Sequence, residues 1–155
     1  MSADPAPPVT GKDQLRFWYR AYSAVAAVER EISARLRDRF AVSLARFDLM
    51  AHLFAAPEGL TMGQLTRKLL VSGGNTTGLV ERLAREGLAA REVDARDRRV
   101  YRVALTARGR ALFQDMAEEH EAWVNEILGD LDPQEMARAT ALLARVRRRL
   151  VQPTP

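Results

Sequence analysis

At 155 residues, with 47% hydrophobic and 28% charged residues, the chain has the size and balance of one globular domain, which buries about 70% of its unfolded surface. It contains no cysteine, which excludes disulfides, thiol redox sensing and Cys-ligated zinc. His52 and His120 are the only histidines, and the net charge of +4 is too small to establish nucleic-acid binding by itself.

The positive charge is almost all arginine, with Lys12 and Lys68 the only lysines, so its distribution says more than its total. No run approaches the roughly 18 apolar residues of a membrane span, and the start lacks the basic and apolar segments of a secretory signal. No membrane partner is expected, and the expected location is cytoplasmic. No metal and no cofactor are expected.

Residues 1–11 carry Pro5, Pro7 and Pro8 and few large apolar groups, the composition of a disordered arm. From Lys12 to Phe40, the residues Leu15, Trp18, Tyr22, Val25, Val28, Ile32, Leu36 and Phe40 recur every three or four positions, the spacing of a long amphipathic helix. A second helix over about 43–55 is apolar around most of its girth through Leu44, Phe47, Leu49, Met50, Leu53 and Phe54, and is expected at the centre. Thr61-Met62-Gly63-Gln64 is a capping box that starts a short third helix. Val71-Ser72-Gly73-Gly74 then makes a turn into a fourth helix over 72–86, N-capped by Ser72, with Thr76, Leu79, Val80 and Leu83 inward and Asn75, Thr77, Gly78 and Arg82 outward. Gly87 supplies its left-handed stop.

Two β-type segments follow, 88–93 and 100–106, joined by the polar tip Asp94-Ala95-Arg96-Asp97-Arg98-Arg99. Thr106 caps a long helix to Leu128 whose expected stripe is Leu112, Met116, Trp123 and Ile127. Asp132-Pro133-Gln134-Glu135 restarts the chain in a last helix that carries Met136, Leu143, Val146 and Leu150 and ends in Arg147-Arg148-Arg149. Those arginines answer the negative end of the helix dipole and are not counted as DNA contacts.

The expected fold is therefore mainly α with a small β-hairpin wing. It is a winged helix-turn-helix region over 43–106, between helical regions 12–42 and 107–151. A recognition helix enters the major groove N-terminus first, so its first turn must be small and polar. Ser72, Gly74, Asn75 and Thr77 meet that need. Asn75 has the donor and acceptor for adenine, and Thr77 suits a thymine methyl or a phosphate. Arg82 projects from the same helix toward the DNA side. Ser72 can cap the helix while touching phosphate, or only cap it. No catalytic constellation is present: there is no nucleophile elbow, phosphate loop or paired-histidine metal motif, and an enzyme is not expected.

Residues from about Leu44 to Gly109 resemble the MarR family of bacterial transcription regulators. The residues that carry the likeness are Phe47-Asp48-Leu49, Leu60-Thr61-Met62-Gly63-Gln64-Leu65, Ser72 through Leu83, Glu86-Gly87-Leu88, Arg91, Asp97-Arg98-Arg99 and Leu105-Thr106-Ala107-Arg108-Gly109. The resemblance implies that Arg99 enters the minor groove with Asp97 positioning it, where a narrow groove favours a guanidinium. Arg96 and Arg98 would add phosphate contacts. The plain alternative is a solvated turn with an Asp97–Arg99 pair. Gly78 stands where many members carry a longer side chain, which leaves fewer base-reading groups here.

The resemblance further implies that the terminal helical regions intertwine as dimerisation regions of a homodimer on double-stranded DNA with a near-palindromic operator. It also implies a small aromatic acid effector (a phenolic acid or CoA-thioester-like compound) between those helices and the DNA-binding lobe. Trp18, Tyr22, Arg46 and His52 are the candidates to hold it, an arginine beside aromatics suiting a carboxylate on a ring. Against that stands packing: Trp18 and Tyr22 lie on the apolar stripe, and His52 suits a structural histidine. The expected role is a repressor released by its ligand. The alternatives are a ligand-independent or activating regulator and a winged-helix protein-interaction module that does not bind DNA.

Overall fold

The computed structural model describes residues 10–69, 76–94, 97 and 99–151. The chain order is α1 (Gly11–Phe40), α2 (Leu44–Phe54), β1 (Leu60–Thr61), α3 (Met62–Lys68), α4 (Thr76–Arg85), β2 (Ala89–Val93), β3 (Tyr101–Leu105), α5 (Ala107–Leu128) and α6 (Pro133–Val151). Residues up to His120 form one compact unit and those from Glu121 onward a second. Among the described residues, no helix is long and apolar enough to cross a membrane.

The first unit contains the core. Ile32 and Leu36 of α1, Phe47, Leu49, Met50 and Leu53 of α2, Leu65 of α3, Val80 and Leu83 of α4, and Phe113 and Met116 of α5 are all buried. As its composition requires, α2 lies at the centre of this set. Phe113 packs its ring 5.4 Å from Phe47 and 4.9 Å from Phe54. That stacking corrects the expected stripe of α5. Gly109, Phe113 and Met116 face the core, while Leu112 is only half-buried. Met116 is buried as expected, while Phe113 takes the place of Leu112 because the large ring, rather than the leucine beside it, fills the space over α2.

α1 begins one turn outside the apolar pattern. Thr10 caps it through a capping box with Asp13, which the proline-rich arm concealed. Only its second half packs inward: Leu15, Trp18, Tyr22 and Val25 are exposed. It ends at Ala41, whose φ of 56° is left-handed, and the Val42 N–H reaches back to the Leu36 carbonyl at 3.3 Å.

The expected two-strand hairpin is one part of a three-stranded antiparallel sheet in the order β1-β3-β2. β1 pairs Leu60 with Val103 and Thr61 with Arg102, and β2 pairs with β3 from Ala89↔Leu105 to Val93↔Tyr101. Two residues are too short to show a period-two pattern, so β1 escaped sequence reading. Thr61 ends β1 and also caps α3: its hydroxyl accepts from the Gln64 N–H at 3.2 Å, and the Gln64 amide oxygen accepts from the Thr61 N–H at 2.9 Å. The wing's sheet thus runs directly into the helix-turn-helix.

In the second unit, the Asp132 carboxylate accepts from the N–H groups of Gln134 and Glu135 at 2.8 and 3.2 Å, the expected cap of α6. Leu131, Leu143, Val146 and Leu150 are exposed.

Candidate nucleic-acid interface

Helix α4 buries Val80 and Leu83 completely, and its spacing then turns Thr77 and Arg82 outward, where both are exposed. Ser72, Gly74 and Asn75 lie outside the described residues, as does the expected start of this helix. Its end is closed by a Schellman motif. Gly87 has a φ of 68°, its N–H bonds the Ala84 carbonyl at 3.0 Å, and the Leu88 N–H bonds the Leu83 carbonyl at 2.9 Å.

Two arginines hold that end in place. The Arg46 guanidinium grips the Glu86 carboxylate with both terminal nitrogens, Nη1 donating to Oε1 at 3.0 Å and Nη2 pairing with Oε2. Arg108 Nη1 donates to the Glu86 carbonyl at 3.0 Å. The hydrogen bond from Arg46 holds the Glu86 carboxyl below its ordinary range. This forty-residue link was not legible in sequence, because nothing local pairs the two positions.

The wing root is joined to the same place. Thr106 donates its hydroxyl to the Gly87 carbonyl at 2.8 Å and its N–H to the Leu88 carbonyl at 3.0 Å, and its Oγ1 accepts from the Gly109 N–H at 3.1 Å. Gly109 lies so close that an added Cβ would fall 1.9 Å from the Leu88 oxygen. A glycine three residues into a helix was the available signal for this close packing.

At the wing's far end, the ladder closes with the Asp94 N–H on the Val100 carbonyl at 2.8 Å. Beyond it, the Asp97 carboxylate accepts from the Arg99 N–H at 3.0 Å, so Asp97 fixes the backbone of Arg99 and leaves its exposed guanidinium side chain projecting. Arg96 and Arg98 lie outside the described residues. Two residues of the wing were missed at sequence level. Asp94 is buried and pairs with Nε of Arg102, whose Nη1 donates to the Gly59 carbonyl at 3.1 Å. Their signal was diagonal placement across the hairpin, visible only once the register is known.

The candidate effector residues fall in different surroundings. Trp18 and Tyr22 are 59% and 62% exposed on α1, with rings 6.0 Å apart. His52 is half-buried on α2. Arg46 is committed to Glu86, yet its Nε–H is buried without a hydrogen-bond partner among the described residues. It lines a cleft of about 420 Å³ together with Phe40, Val42, Leu88, Arg108 and Leu112.

A recognition helix and an arginine-tipped hairpin built on one small sheet define a winged helix-turn-helix DNA-binding protein. The family model described as MarR family matches residues 42–100. The chain is 30% identical over 116 residues to the HTH-type transcriptional regulator PecS of Dickeya dadantii, covering 74% of this chain and 70% of that protein. It is 35% identical over 89 residues to the transcriptional activatory protein BadR of Rhodopseudomonas palustris, where the match spans 57% of this chain and about half, 51%, of that relative. A MarR family transcriptional regulator from Silicibacter pomeroyi, whose crystal structure is known, superposes with a TM-score of 0.77 at 32% identity, over 90% of this chain and 96% of that one. The chain belongs to the MarR family, and it is a DNA-binding transcription regulator rather than an enzyme.

Proposed function

We propose that the protein is a homodimeric repressor that binds a near-palindromic operator and leaves it when a small aromatic acid, such as a phenolic acid or its CoA thioester, is bound. The observation that carries the DNA-binding part is the wing tip, where Asp97 holds the backbone of an exposed Arg99 at the end of a paired hairpin. Arg99 enters the minor groove there. Thr77 and Arg82, with Ser72, Gly74 and Asn75, face the major groove, and Arg96 and Arg98 meet phosphate. The dimer is supported by the exposed apolar face of α1, where Leu15, Trp18, Tyr19, Tyr22 and Val25 recur at helical spacing.

The cleft beside Arg46 supports the effector reading. Its volume suits a small ligand, and it offers two guanidinium groups and an unpartnered donor above an apolar floor. A carboxylate bound there competes with Glu86 for Arg46 and loosens the end of α4. Release follows when the ligand binds better to a dimer whose recognition helices are wrongly spaced for DNA. The activatory description of the relative from Rhodopseudomonas palustris favours the opposite sign of regulation as a second reading.

Fluorescence anisotropy on the DNA upstream of the protein's own gene tests both parts. Arg99→Ala is expected to weaken binding and to reduce the salt dependence by about one phosphate equivalent. Phenolic acids or their CoA thioesters are expected to displace the wild-type protein. An unchanged affinity and slope in Arg99→Ala rejects the wing contact, and tight ligand binding that leaves operator affinity unchanged rejects the switch.

A further inference from the structure

We infer that Arg102 and Asp94 are positioning residues for the DNA contact of Arg99, forming a relay that ties the wing tip to the body of the DNA-binding lobe. The inference rests on the reading of Arg99 as a DNA contact and extends it to residues that do not touch DNA.

The hydrogen bonds form a continuous chain from the base of the sheet to the tip, with Arg102 donating at both of its ends. The fixed end is Gly59, which has a φ of 74° and has its Cα pressed against β3: a Cβ there would lie 2.9 Å from the Val103 carbonyl oxygen. Its N–H bonds the Ala56 carbonyl at 2.9 Å, and its own carbonyl accepts from Arg102 Nη1 at 3.1 Å. Arg102 Nε pairs with Oδ2 of Asp94, and Oδ1 of the same carboxylate accepts from the Asp97 N–H at 3.2 Å. The Asp97 carboxylate then accepts from the Arg99 N–H at 3.0 Å. Four residues link the base of the sheet to the backbone of the tip.

Location separates this from an ordinary stabilising ion pair. The strand register ends at Val93↔Tyr101, and Asp94 closes it onto Val100. Past that point, among the described residues, the Asp94 and Asp97 carboxylates bond the Asp97 and Arg99 amides, and the Val100 N–H bonds the Asp97 carbonyl at 2.9 Å. Asp94 is buried, so its carboxylate needs a cation, and Arg102 both neutralises it and fixes which oxygen faces the tip. Lysine cannot donate to Gly59 and Asp94 in the same planar arrangement. Without Arg102 the carboxylate loses its link to the Gly59 carbonyl, and the tip loses that reference to the body.

The test is a double-mutant cycle on the full chain, with hydrogen exchange as a readout that needs no DNA. Arg102→Gln is expected to weaken operator binding about tenfold, the size of one lost well-placed arginine contact, while Arg102→Lys recovers part of it. In an Arg99→Ala background, Arg102→Gln is expected to cost almost nothing further. In free protein, Arg102→Gln is expected to speed exchange of the Asp97 and Arg99 amides and leave those of β2 and β3 protected. Where that variant fails to fold, Asp94→Asn/Arg102→Gln keeps the site neutral and gives the same pattern. Additive losses in the cycle, or tip amides that exchange at the wild-type rate, overturn the relay. If Arg99→Ala alone leaves binding unchanged, the wing contact falls, and the exchange rates still decide whether the relay exists.

Discussion

Asp48, His52 and His120 bring titratable groups together on α2 and α5, with Glu29 facing them from α1. Asp48 is half-buried, and burial raises its carboxyl above the usual range, while the charges of His52 and His120 oppose that rise and Glu29 adds to it. His120 stacks on Phe47 at 4.8 Å, and burial lowers its imidazole, with Asp48 pulling it back. The two groups act in opposite directions on stability. For His120 the unfolded chain takes the proton first, so stability is lost as pH falls from the ordinary imidazole range through the lowered value. For Asp48 the folded chain keeps the proton longer, so stability is lost as pH rises from the ordinary carboxylate range through the raised value. Asp48→Asn is therefore expected to raise the melting temperature at pH 7 and to lower the His120 titration midpoint followed by NMR. An unmoved or higher midpoint would show that the two groups do not interact.

At the scale of elements, the packing of α5 against the start of β2 depends on the absence of one side chain. Gly109→Ala drives a methyl into the Leu88 carbonyl, and it is expected to destabilise the protein by roughly 1–3 kcal/mol, toward the upper end because backbone rather than a flexible side chain must move. Urea unfolding measures this, and a loss below about 0.5 kcal/mol, the scale of an ordinary surface change, would mean that the corner yields easily. The boundaries of these elements were largely legible in the sequence. The caps at Thr61 and Asp132 and the stop at Gly87 rest on bonds within a few residues, and they stand where local chemistry puts them. The links that assemble the interface, Arg46 to Glu86, Arg102 to Gly59 and Thr106 to Gly87, join distant positions. Their partners are chosen by the fold, so no local pattern announces them. Phe113 was hidden for a similar reason: Leu112 beside it fits a helical period equally well, and only the rings of α2 decide between them.

At the scale of the whole molecule, α1 leaves five large apolar side chains uncovered on one face, more than an isolated chain gains by exposing. In the proposed homodimer, a two-fold pair of chains would cover them and set two recognition helices about 34–36 Å apart, the spacing of one DNA turn. Sedimentation equilibrium at micromolar concentration is expected to give a dimer, and Tyr22→Glu together with Val25→Glu is expected to shift it toward monomer and to lose operator binding in parallel. A wild-type monomer overturns the dimer, and a charged variant that stays dimeric places the contact elsewhere.

The corner at Gly87, Leu88, Thr106 and Gly109 has a consequence for motion. Gly87 and Leu88 between α4 and β2, Thr106 between β3 and α5, and Gly109 in the first turn of α5 are stitched together there by single hydrogen bonds. A groove-reading helix and a wing that share one hinge block cannot drift apart independently. In the proposed DNA complex, a shift of that block would move the recognition helix and the wing together and so affect both grooves at once.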